Sequence, residues 1–181
     1  MNSENIIIAK KTLNLLKKKS WNSIKLNEVF VKSSKFANSL KSKNDLLKNL
    51  NRYFDYLLKK NSRNIEKSTA KDMLFEVLMA RFDILEKYRI SIKKIVIFFK
   101  HSPQNFLLLM PSFLESMIET ASLIKLNTKG ITGSLKIKGI LIIYIATLFV
   151  WIEDETISLE KTMTALDKYL DRIDNIINNL K

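Results

Sequence analysis

Five lysines, Lys25, Lys32, Lys35, Lys41 and Lys43, fall in one short stretch of the chain. Ser33, Ser34, Asn38 and Ser39 lie among them as compact hydroxyl and amide donors. A lysine gives a phosphate oxygen a point charge, and a helix N-terminus gives it aligned backbone N–H groups. Such contacts hold a nucleic acid in position without reading its sequence. Asn38 is the one side chain of the cluster suited to a bidentate contact with adenine. The same lysines also fit a solvated surface that keeps a protein soluble, so their setting has to be weighed.

That setting is uneven. Residues 1–65 hold 15 Lys/Arg against 4 Asp/Glu, which leaves 16 against 14 for residues 66–181. A compositional bias alone would spread the excess in proportion to length. A basic segment on a nearly neutral, apolar body is the electrostatic outline of a nucleic-acid binder carrying a regulatory or oligomerisation domain.

Other chemistry is thinly represented. Glu153, Asp154 and Glu155 form an acidic run, but consecutive carboxylates on a turn cannot all converge on a metal ion. Their expected place is just before the N-terminus of the last helix, where negative charge is favourable. His101 is the sole histidine and has no evident catalytic partner. There is no phosphate-binding glycine loop and no nucleophile elbow. The expectation is a protein that is not an enzyme and that needs no metal or cofactor.

The elements that must carry these residues are helical. Three glycines and two prolines among 181 residues leave little for the turns that strand-rich folds require. A hydrophobic content of 46% supports a core. The absence of cysteine fits a reducing cytosol, and a cytoplasmic location is expected. The longest uncharged stretch, Gly139 to Ile152, is shorter than the roughly 20 apolar residues of a spanning helix, so it reads as a buried core helix.

Spacing and start signals predict roughly nine helices. The first covers about 4–19, with Ser3 as its cap, and Trp21 plugs the end of a small core. Short helices follow over Leu26 to Val31 and about Ser34 to Leu40. Ser42-Lys43-Asn44-Asp45 has capping-box spacing and opens a helix through Leu57. The polar stretch 59–68 is the expected hinge, dividing a head, 1–60, from a body, 69–181. In the body, Thr69 starts a helix and another covers 88–100. Ser102-Pro103 starts a third, kinked at Pro111. Gly130 and Gly133 bracket a break before an apolar helix over about 134–151. Ser158 caps the last helix, about 159–179.

The body motifs resemble those of TetR-type transcriptional regulators, in particular an alphaproteobacterial-type group. The similar segments are Asp72-Met73-Leu74-Phe75-Glu76-Val77-Leu78-Met79-Ala80-Arg81-Phe82-Asp83-Ile84-Leu85, with Tyr88-Arg89 close behind, and Trp151-Ile152-Glu153-Asp154 leading to Lys161-Thr162-Met163-Thr164-Ala165-Leu166-Asp167. Leu26-Asn27-Glu28-Val29 and Ser42-Lys43-Asn44-Asp45-Leu46-Leu47 are similar to parts of that family's head. The segment between these anchors is shorter than the family pattern by about four residues and lacks its turn glycine.

The resemblance implies an all-α protein with a three-helix helix-turn-helix head on a helical body. It also implies a homodimer formed through the last two helices and double-stranded DNA as partner. The lysine, serine and asparagine cluster would be the DNA contact. Phe98, Phe106, Met110, Phe113 and Met117 would line a pocket for a small apolar ligand, although residues of these types at helical spacing also make plain core. The alternative is a TetR-fold lipid-binding accessory protein similar to those of coenzyme Q biosynthesis, in which a basic head meets anionic membrane instead of an operator.

Overall fold

A computed structural model describes residues 1–30, 40–62 and 68–179, with residues 173–179 described by backbone alone. Among the described residues the protein is all-α: eight α-helices, one 3-10 turn and no strand. The helices are α1 (Ser3–Lys18), α2 (Leu26–Val29), α3 (Lys43–Asn61), α4 (Ala70–Glu86), α5 (Arg89–His101), α6 (Pro103–Leu123), α7 (Gly130–Glu153) and α8 (Glu160–Asn179). The 3-10 turn, Trp21–Ser23, lies between α1 and α2. Of the expected helix over 34–40 only Leu40 is described, buried and outside any helix; the rest of it and the centre of the expected hinge lie outside the described residues.

The chain forms two compact units that interleave in sequence. One comprises Met1–Leu57 and Ile84–Phe113, the other Leu58–Asp83 and Leu114–Lys181.

In the first unit Asn2, one residue before the expected Ser3, caps α1. Its side chain accepts the Asn5 N–H at 2.8 Å. The inward face of α1, Ile8, Ala9, Leu13 and Leu16, is fully buried. Ser91 of α5 donates to the Leu13 carbonyl at 2.7 Å, where a small hydroxyl lets α5 approach α1 closely. Trp21 is buried beneath the end of α1 and tilts against Phe98 with centroids 6.0 Å apart. The expected capping box opens α3. The Asp45 N–H donates to Ser42 Oγ at 3.2 Å, and the Ser42 N–H donates to the Asp45 carboxylate at 2.9 Å. Tyr53, Phe54 and Tyr88 form an aromatic cluster in which the two tyrosine hydroxyls are 3.2 Å apart. Burial, with the Tyr88 hydrogen bond, pushes the Tyr53 phenol well above its ordinary value.

The second unit is apolar at its centre. Phe82 lies 5.7 Å from the Tyr144 ring and 6.4 Å from Trp151, and all three side chains are buried. The Arg81 guanidinium, also buried, sits 5.1 Å from the Tyr144 ring centroid. Thr69 starts α4 by exchanging hydrogen bonds with Asp72, at 3.1 Å to its N–H and 2.6 Å to its carboxylate. Lys71 pairs with Asp167 at 3.2 Å and with Asp171, tying α4 to α8.

Two glycine positions differ from expectation. Gly130 and Gly133 do not bracket a break; α7 begins at Gly130 and carries Gly133 in its first turn. A Cβ on Gly133 would fall 2.0 Å from the Thr128 carbonyl carbon, so glycine is needed where the preceding loop passes over the helix. Gly130 adopts φ +70°, the left-handed region that favours glycine.

Ser158 is not the cap of α8 either. The Glu160 N–H donates to Thr156 Oγ1 at 2.9 Å, and the Thr162 N–H donates to Asp154 at 2.8 Å. The helices α6 and α7 are long and apolar enough to cross a membrane by length and composition, and half of the most apolar window of α7 is buried within the fold.

Candidate nucleic-acid interface

Three of the nine expected contact residues can be placed. Lys25 is exposed, directly before α2, and its N–H donates to the Glu28 carboxylate at 2.9 Å. Lys41 is exposed before α3. Lys43, in contrast, turns inward: its ammonium donates to the Asn22 carbonyl at 2.8 Å and the Trp21 carbonyl at 3.2 Å, and lies 5.9 Å from the Trp21 ring centroid. Burial there lowers its ammonium below the usual lysine value. Lys32, Ser33, Ser34, Lys35, Asn38 and Ser39 lie outside the described residues.

The N-terminus of α3 is less open to phosphate than its sequence suggests. The Asp45 carboxylate already accepts from the Lys41 N–H at 3.1 Å, the Ser42 N–H, and Ser42 Oγ at 2.8 Å. Burial acts to raise the Asp45 carboxyl, but the hydrogen bonds from Ser42 and Lys41 outweigh it and hold the group below its ordinary value. A negative group thus occupies the donors that an incoming phosphate would use.

Other cations of the same unit also serve its backbone. Lys94 of α5 donates to the Lys17 and Lys19 carbonyls at 3.1 and 3.2 Å, closing the C-terminus of α1. Lys11 reaches the Phe30 carbonyl at 3.4 Å. Lys19 pairs with Glu28, and that bond, followed by the Lys25 N–H, lowers the Glu28 carboxyl. Arg89 pairs with Glu86 at 2.7 Å.

The fold nonetheless keeps nearly all of the net charge in one unit. The first unit holds 17 Lys/Arg and 5 Asp/Glu, a net of +12, leaving 14 against 13 and a net of +1 for the second. By their position in the chain Lys87, Lys93, Lys94 and Lys100 belong to the neutral body; the fold places them in the basic unit. A signal for this was present, because no carboxylate occurs between Glu86 and Glu115.

The five expected pocket residues lie on α5 and α6. Phe106 meets Phe99 edge-on at 5.5 Å and tilts against Phe113 at 5.8 Å, and Phe98 lies between buried Trp21 and Phe99, so the four phenylalanines form a half-buried ladder in the first unit. Met110 is half-buried in the same unit, whereas Met117 is fully buried in the second. A groove of about 590 Å³ runs along α8, lined by Lys161, Thr164, Lys168, Tyr169 and Arg172 among others. His101 is exposed, with its Nδ1 2.8 Å from the Ile97 carbonyl.

The acidic run resolves into one structural group. Asp154 is completely buried and accepts four hydrogen bonds, from the N–H and hydroxyl of both Thr156 and Thr162, at 2.6 to 3.1 Å. Burial alone would raise its carboxyl, yet these bonds hold it well below the usual carboxylate range. The expected position of the run before the last helix is therefore filled by a single capping carboxylate.

Compared with known proteins, the chain matches no family model, and no curated protein is significantly similar to it.

Proposed function

We propose that this protein is a TetR-like transcriptional regulator: a homodimer whose basic units bind double-stranded DNA. The observation that carries the reading is the division of charge between the units, +12 against +1. A local excess of that size attracts a polyanion through counterion release. Within the basic unit, exposed Lys25 and Lys41 flank the segment holding Lys32, Lys35 and Asn38, which is where base contact would be made.

Dimerisation draws support from α7. Ile131, Leu135, Ile142 and Phe149 are exposed on this helix, and the last three are spaced by seven residues, so they share one face. A second copy would cover that stripe. Ile142→Asp is expected to give a monomer in sedimentation velocity; an unchanged sedimentation coefficient would place the dimer interface elsewhere.

The test of DNA binding compares the protein's own upstream DNA with scrambled DNA of equal length over a salt series. Specific binding that survives about 150–200 mM salt is expected. Alanine at Lys25 or Lys41 should weaken both DNAs alike and reduce the salt slope by about one for each phosphate that is no longer neutralised. Equal binding to both DNAs that vanishes with salt would reduce the basic unit to an unspecific charge and sink the regulator reading.

A further inference from the structure

We propose that the α5–α6 hairpin is a docking surface for an anionic lipid bilayer. The inference does not rest on the DNA reading, and its test contains no DNA. The hairpin as far as Phe113 belongs to the basic unit, and its sequence from Lys87 onward carries Lys87, Arg89, Lys93, Lys94 and Lys100 with no carboxylate before Glu115. Arg89 and Lys94 are held by Glu86 and by the end of α1, which leaves Lys87, Lys93 and Lys100 to define the outer charge.

Aliphatic side chains stand beside those cations. On α5, Ile90 and Ile97 are 61% and 53% exposed, two helical turns apart, with Lys93 between them. Past the turn at Ser102, α6 presents the adjacent Leu107 and Leu108, 65% and 57% exposed, and Pro111 also faces solvent. Aromatic contact between Phe99 and Phe106 holds the two helices together next to that turn.

The two kinds of side chain favour a bilayer over other polyanions. Exposed leucine and isoleucine gain nothing from a phosphodiester backbone but enter the boundary between headgroups and acyl chains, while neighbouring lysines meet anionic headgroups. A second copy of this face would set lysines against lysines with no carboxylate between them, and a different protein partner would be gripped mainly by aromatic or arginine anchors seated in pockets. The hairpin offers protruding aliphatic side chains instead, and a fluid lipid surface takes these without a matching shape.

The chain has no cysteine, so a single introduced thiol reports one position. Leu107→Cys, labelled with an environment-sensitive fluorophore, would be mixed with vesicles of phosphatidylcholine alone and of phosphatidylcholine with phosphatidylglycerol in equal parts. A blue shift with the anionic vesicles only is expected, and none for the same label at Asp167→Cys on α8. In flotation, the unlabelled protein should bind the anionic vesicles, and Leu107→Ser with Leu108→Ser should weaken that binding about tenfold with its helical circular dichroism unchanged. No binding to the anionic vesicles at low salt would overturn the proposal. So would binding that the double serine variant retains in full, since charge alone would then account for it.

Discussion

Both units pack aromatic rings, but they use their polar side chains differently. The basic unit is tied by polar side chains reaching backbone carbonyls: Lys43 to Trp21 and Asn22, Lys94 to Lys17 and Lys19, Ser91 to Leu13, and Asn51 to the Ser112 carbonyl at 2.9 Å. The neutral unit relies on buried rings around Trp151 and on one buried carboxylate, Asp154. Part of the positive charge of the first unit is therefore used inside it, closing helix ends. A count of lysines overstates what remains for a ligand, and exposed cations such as Lys10, Lys17, Lys18, Lys25, Lys41, Lys87 and Lys100 are the ones to test.

The largest effect should fall on the neutral unit. Trp151→Ala removes a fully buried ring that packs on Phe82 and is expected to cost about 4 kcal/mol in urea unfolding. A loss below about 1 kcal/mol would mean that rings do not dominate this unit.

Asp154→Ala comes next, at about 3 kcal/mol, because it strands the N–H and hydroxyl donors of Thr156 and Thr162. The same residue sets a pH dependence. Its folded carboxyl titrates below its ordinary value of 3.8, so the unfolded chain takes up the proton first. Its stabilisation is present above 3.8 and lost as pH falls through the lower folded value. Unfolding free energy followed below about pH 4 should drop more steeply for the natural protein than for Asp154→Asn. Parallel curves would remove Asp154 from the explanation.

Gly133→Ala should cost about 2 kcal/mol, since the new Cβ meets the Thr128 backbone rather than a flexible side chain. Gly130→Ala meets no atom and is strained only by its positive φ, for about 1 kcal/mol. Melting temperatures that rank the two in reverse order would contradict the close approach of the 126–129 loop.

The smallest effect is expected in the basic unit. Ser42→Ala removes one half of the α3 capping box for about 1 kcal/mol. It also leaves the Asp45 carboxylate on the Lys41 and Ser42 N–H groups, so DNA binding should change little. A clear gain in DNA affinity would indicate that Ser42, with Asp45, was blocking a phosphate site.

Local signals in the sequence determined the helices and several of their starts. Ser42 with Asp45 caps as its spacing predicts, and Thr69 starts α4 as expected, because the partners at a helix start lie within one turn of chain. Pro103 begins α6 for the same local reason, its fixed φ and missing N–H suiting the first helical position. Other choices were set by partners far away in sequence. Ser158 lost the capping of α8 to Asp154 and Thr156 because the chain turn buries that carboxylate against Thr162. Lys43 is half-buried because its ammonium bends to the Trp21 and Asn22 carbonyls, which lie about twenty residues away in sequence. The lysines of α5 joined the basic unit because α5 packs on α1. Propensity and capping act over a few residues and can be read directly from the chain. Which charge is exposed, and which is consumed, depends on the carbonyls and apolar faces that only tertiary packing brings within reach.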